Sequence, residues 1–98
     1  YPKDEIASIN AAMAALSRND LVSAERYLKM VNAHKQLPEY SNAMGVLMLL
    51  KGDYEHAEEY LKAAAEAGLE AAGQNLEELA TKRTNAAEIE KKNKNRDK

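Results

Sequence analysis

Two histidines, His34 and His56, have the side chains most suited to bind a metal ion or to transfer a proton at neutral pH. They lie far apart in the chain, at a separation that matches no metal-ligand spacing, and the chain has no cysteine that could complete a site. His56 also follows Glu55 at the exposed start of a predicted helix. We therefore interpret both histidines as surface residues and predict neither a metal nor a cofactor.

Paired carboxylates are the next candidates for chemistry, at Glu58-Glu59 and at Glu77-Glu78. Adjacent residues on a helix point about 100° apart, so the two carboxylates of a pair cannot share one catalytic site. None of the four serines has a neighbouring base motif, and Gly68 and Gly73 lack the Lys-Ser/Thr of a phosphate-binding loop. The sequence therefore predicts a protein that is not an enzyme.

The composition predicts one small helical domain of 98 residues. Tryptophan, phenylalanine and cysteine are absent, and alanine, leucine and glutamate dominate, so residues that favour strands are too few for a sheet. The net charge is −2, yet residues 88–98 carry five basic and three acidic side chains. No aromatic residue interleaves these charges, so we predict a solvated, disordered basic tail at 93–98 and no binding of nucleic acid.

The main pattern is a duplicated segment, in which all matched positions are separated by the same number of residues. Its identical pairs are Asp20/Asp53, Ala24/Ala57, Glu25/Glu58, Tyr27/Tyr60, Leu28/Leu61 and Lys29/Lys62. Apolar residues at helical spacing surround these pairs. They predict helices from Lys3 to Ser17, Asp20 to about His34, Pro38 to Lys51, Tyr54 to Ala67, and from Leu69 or Glu70 to an end between Ala87 and Lys94.

Both helix pairs are joined by a two-residue turn with the same predicted chemistry. Asn19 and Gly52 tolerate the left-handed conformation that ends a helix. Asp20 and Asp53 follow, and a carboxylate at that position accepts hydrogen bonds from the first free N–H groups of the next helix. The sequence thus predicts two tight antiparallel helix pairs.

These features resemble the tetratricopeptide repeat (TPR) family of helical repeats. The second pair carries the packing glycine Gly45, a Gly-Asp-Tyr turn at 52–54, and the series Ala57, Leu61 and Ala64. The first pair is more divergent, with Ala12 in place of the packing glycine and Val31 in place of the last alanine. The stretch from Ala65 to Leu79 is also similar to Sel1-like repeats, but the two-residue turns argue against that family.

The resemblance implies an α-solenoid with domain bounds 1–92, made of repeat 1 at 5–37, repeat 2 at 38–69 and a capping helix at 70–92. In the capping helix, Asn75-Leu76 are expected to correspond to Asn10-Ala11 and Ala43-Met44. A TPR segment with this ending is similar to the C-terminal part of larger bacterial cell-envelope proteins. The chain starts at Tyr1 rather than Met, so we expect a longer parent protein in the cytoplasm or, in the envelope case, in the periplasm or at the outer membrane.

The family also implies a concave groove that binds a peptide or protein segment. By comparison with TPR proteins, the groove residues are Ile6, Ile9, Asn10, Met13, Leu16, Asn42, Val46 and Leu49. Two alternatives stay open: these residues pack against a neighbouring repeat or domain, or the module is a structural spacer without a ligand. The inner positions lack the cations with which some TPR domains clamp a chaperone's terminal carboxylate, so that partner is not expected. The longest apolar run, 43–50, is far shorter than the ~20 residues of a membrane span, so no direct membrane insertion is expected.

Overall fold

All regular secondary structure that the computed structural model describes, in residues 3–31 and 37–96, is α-helical. The all-α prediction is confirmed for this part of the chain. The helices are α1 (Lys3–Ser17), α2 (Leu21–Lys29), α3 (Pro38–Lys51), α4 (Tyr54–Glu66) and α5 (Glu70–Arg96).

Two helix ends differ from the prediction by more than one residue. Helix α2 ends at Lys29 and not near His34, because the Met30 and Val31 N–H groups bond to the carbonyls three residues back, at 3.1 and 3.2 Å. Bonds of this kind tighten the last turn and end the α-helical ladder. The rest of the predicted end, residues 32–36, lies outside the described residues.

Helix α5 continues to Arg96, beyond the predicted end between Ala87 and Lys94. Its last part is rich in Ala, Glu and Lys, which favour the helix strongly, and Glu88 precedes Lys92 by four residues. The intrinsic helix propensity of these residues therefore explains why α5 continues beyond the predicted end without packing against other helices. Of the predicted disordered tail, residues 93–96 have helical backbone, and residues 97 and 98 lie outside the described residues.

The turns at 18–20 and 51–53 have nearly the same geometry at matching positions of the duplicated segment. Asn19 has φ 59° and Gly52 has φ 84°, so both occupy the left-handed region as predicted. The Asp20 and Asp53 N–H groups donate to the carbonyls of Ala15 and Met48, each at 2.9 Å. The side chain of Asp20 caps α2 by accepting from the Ser23 N–H at 3.2 Å, and that of Asp53 caps α4 by accepting from the His56 N–H at 3.3 Å. Both predicted caps are confirmed.

Helix α3 is central, because it contacts each of the other four helices. The remaining contacts join α1 to α2 and α4 to α5, whereas α2 and α4 do not contact each other in the described residues. A helix with neighbours on most sides must be apolar nearly all round, which explains the run from Ala43 to Leu50. One apolar cluster lies among α1, α2 and α3, around Ile9, Leu28 and Leu47. A second joins α3, α4 and α5, around Leu61 and Leu79.

A close helix contact lies between α3 and α4, at Gly45. A Cβ placed on Gly45 would lie 2.5 Å from Cγ of Leu61 and 3.3 Å from the backbone oxygen of Ala57. Both partners are fully buried. A side chain as small as alanine at position 45 would therefore displace Leu61, so glycine is what allows this pair to approach.

Candidate functional site

The eight residues predicted to line the groove divide into three groups by exposure. Four are buried within the chain: Ile9, Leu16, Asn42 and Leu49. Ile6, Met13 and Val46 are half-buried and pack against the apolar cluster among α1, α2 and α3, and Asn10 is exposed.

Burial limits what the predicted groove can present to a ligand. Ile9 is 2% exposed and Leu49 is 3% exposed, so both serve the protein's own core. Leu49 belongs to the cluster that includes Leu79 of α5, a helix that the groove prediction did not use. Within the predicted set, the accessible surface consists of Ile6, Asn10, Met13 and Val46, which we call the inner surface. It lies on α1 and α3, which are in contact.

Asn42 and Asn75 form a contact that the sequence analysis did not predict. The Asn75 Nδ2 group donates to Oδ1 of Asn42 at 2.8 Å, joining α5 to α3. The two asparagines are separated by the same offset as the two turns, and that equality is the signal that could have found the pair.

Helix α4 carries a network of charged side chains, one of which pairs with α5. Oε2 of Glu58 lies 3.0 Å from Nη1 of Arg83 on α5, and its Oε1 lies 3.2 Å from Nζ of Lys62. Tyr54, Glu55 and Glu59 join Glu58 and Arg83 around an open depression of about 620 Å³. A further ion pair, between Lys51 and Glu25 at 3.2 Å, joins the end of α3 to α2.

His56 is exposed, as predicted, and His34 lies outside the described residues. Nδ1 of His56 lies 2.7 Å from Oδ2 of Asp53, the carboxylate that caps α4. This hydrogen bond raises the pKa of His56, to which the negative charges of Asp53, Glu59 and Glu55 also contribute. The same bond is the main cause that lowers the pKa of Asp53. Protonation of His56 therefore changes the charge interaction at the start of α4.

The described residues contain no group of three or more His, Asp or Glu side chains placed to hold a metal ion. No helix in that part of the chain is both long and apolar enough to span a membrane. Comparisons of the chain with protein-family models, with curated proteins and with solved structures give no match. The function must therefore be argued from the surfaces of the helices themselves.

Proposed function

We propose that this chain is a TPR-like interaction module that binds a protein or peptide segment on its inner surface. In this proposal α1–α2 and α3–α4 are two repeats, and α5 is the capping helix. The matching turns at Asn19-Asp20 and Gly52-Asp53 support the proposal, as do the close contact at Gly45 and the order of helix contacts. Such repeats act by presenting a surface made by stacked helices.

The observation that carries the proposal is the partial exposure of three apolar side chains on two adjacent helices. Ile6 and Met13 on α1 and Val46 on α3 rest on the core and keep part of their surface accessible, and Asn10 is exposed on α1. A segment with apolar anchors would bury this surface, and the flexible Met13 would adapt to its shape. No cation lies among these four residues, so the partner is not a terminal carboxylate held by an ion clamp. We propose a binding function without catalysis.

The test begins with peptides selected from a random display library against the immobilised domain. Met13→Ser and Val46→Ser should each weaken a selected peptide at least about tenfold, because truncating an apolar anchor commonly costs ~1.4 kcal/mol or more. Ile89→Ser is the matched control, since Ile89 is 60% exposed at the far end of α5. Circular dichroism should show unchanged helix content in all three variants.

Salt provides the second arm of this experiment. Raising NaCl from ~0.05 to ~0.5 M should change the affinity little, because apolar contacts are not screened. If Met13→Ser and Val46→Ser both leave the affinity unchanged and added salt lowers it, the inner surface is not the binding site. That result would point to the basic residues near the end of α5. Amide shift changes on α1 and α3 would support the proposal, and changes confined to other helices would count against it.

A structural spacer is the second candidate, and one observation favours it. Ile9, Leu16, Asn42 and Leu49 are buried in the chain's own packing, so half of the expected groove is already used. A spacer would hold neighbouring domains apart and select no peptide above background. Failure of the library to yield any peptide sensitive to Met13→Ser would favour this alternative.

A further inference from the structure

The outer face of α2 combines exposed apolar and basic side chains. Val22, Arg26 and Lys29 recur at helical spacing on one side of α2, and Met30 follows them as the C-cap residue. We call these four residues the α2 outer face. Val22 is 72% exposed and Met30 is 61% exposed. The α2 outer face thus combines two exposed apolar side chains with two cations.

The repeat places an acidic surface at the corresponding positions of α4. The repeat offset carries Val22 to Glu55, Arg26 to Glu59, Lys29 to Lys62 and Met30 to Ala63. Glu55, Glu59, Ala63 and Glu66 are all exposed, and we call them the α4 outer face. Lys62 lies on the same side of α4 and contacts Glu58, which also pairs with Arg83, so this side of α4 carries three exposed carboxylates and one cation. The α2 outer face thus has a net positive charge, and the α4 outer face keeps a net negative charge when Lys62 is counted with it.

We propose that the α2 outer face of one copy of this chain docks on the α4 outer face of a second copy. The chain itself carries both complementary faces, and they do not contact each other in the described residues. A two-fold dimer would make both contacts at once, α2 to α4 and α4 to α2.

The size and charge of the two faces set the expected strength. Helix α2 has nine residues and α4 has thirteen, so the paired faces are small and the dimer should be weak. Exposed opposite charges attract over about 10 Å at 0.1 M salt and are screened at higher ionic strength. Association should therefore depend on both protein concentration and salt. This proposal is independent of ligand binding at the inner surface.

Sedimentation equilibrium of the whole chain tests the proposal. At concentrations up to about 1 mM and about 20 mM NaCl we expect a reversible dimer, which about 0.5 M NaCl dissociates because the charges are then screened. Arg26→Glu with Lys29→Glu should raise the dissociation constant at least about tenfold through like-charge repulsion, and so should Glu55→Lys with Glu59→Lys. Glu59→Lys alone serves if the charge change at the start of α4 unfolds the helix.

An equimolar mixture of the two charge-reversed variants gives the sharpest outcome. One variant then has two acidic faces and the other has two basic faces, so neither should pair with itself and the mixture should form a heterodimer. Lys91→Glu with Lys92→Glu is the matched control, because it changes the net charge as much as the α2 variant does but should leave the homodimer intact. A wild-type chain that stays monomeric, variants that still dimerise, or a mixture that stays monomeric would each overturn the proposal.

Discussion

The side chains of Asn42 and Asn75 join α3 to α5 through a hydrogen bond of 2.8 Å, at the same sequence offset that relates the two helix turns. Asn42 is 5% exposed, so its amide oxygen has little access to water. A buried polar group costs free energy unless it is bonded. This contact therefore fixes the position of α5 on α3 by polar pairing as well as by apolar packing.

Removing either partner of this bond should destabilise the fold. We expect Asn75→Ala to lower the free energy of unfolding by about 1–3 kcal/mol, because it leaves the Asn42 oxygen buried without its donor. Urea unfolding of Asn42→Ala, Asn75→Ala and the double variant measures the coupling between them. The exposed Asn85→Ala is the control, with a change within about 0.5 kcal/mol. Additive single effects would contradict a direct bond.

Two glycines in helix interiors should respond oppositely to the same substitution. Gly45→Ala should destabilise by about 1–3 kcal/mol, because its Cβ would lie 2.5 Å from Cγ of Leu61. Gly73→Ala should stabilise by about 0.5–1 kcal/mol, because no atom lies within 4 Å of a Cβ at that position and alanine favours the helix. Thermal and urea unfolding measure both. Equal effects of the two substitutions would contradict the close α3–α4 approach.

The turns could be predicted from sequence, and the exposure of the inner residues could not. Asn19-Asp20 and Gly52-Asp53 specify a left-handed residue followed by a cap, and this chemistry depends only on neighbours in the chain. Burial of Asn42 and Leu49 depends on contacts with Asn75 and Leu79, two residues of α5. Those contacts depend on how α5 packs against α3, which the sequence analysis did not specify residue by residue.

The end of α2 illustrates a second limit of the sequence. Apolar residues at helical spacing continue from Leu28 to Val31, so periodicity alone predicts that α2 extends beyond Lys29. In the structure Val31 is buried, but its N–H bonds to the carbonyl of Leu28, three residues back. An apolar residue can therefore continue the buried stripe after the α-helical ladder has ended.

The cap at the start of α4 should make thermal stability depend on pH through His56. Its pKa in the folded protein is raised above the ordinary value, mainly by the hydrogen bond to Asp53. The resulting stabilisation is fully present below the pKa of the unfolded state and is lost as pH rises through the folded pKa. His56→Gln should therefore reduce the melting temperature relative to wild type at about pH 5.5, and this difference should shrink by about pH 8.5.

An NMR titration of the imidazole protons gives the direct check on His56. The pKa should lie above that of a free histidine side chain in wild type and should fall towards it in Asp53→Asn, which keeps a capping oxygen but removes the charge. Asp53 contributes in the opposite direction, because its lowered pKa means that its stabilisation is lost as pH falls through that value. A His56 pKa that Asp53→Asn leaves unchanged would show that the 2.7 Å contact does not persist in solution.

The second half of α5 should be dispensable for the stability of the fold. In the described part of the chain, the last inter-helix ion pair on α5 is that of Arg83 with Glu58, and the side chains from Thr84 to Lys92 are all exposed. Truncation after Asn85 should keep the melting temperature within a few degrees, since surface residues that pack on nothing contribute little. It should lower the helical ellipticity, because α5 extends to Arg96 in the intact chain.

Truncation after Leu76 is the contrasting variant: it removes Arg83 and the buried Leu79 and should lower the free energy of unfolding by several kcal/mol. A large loss of stability on truncation after Asn85 would mean that the end of α5 packs on the domain in solution, whereas unchanged ellipticity would mean that it is not helical there.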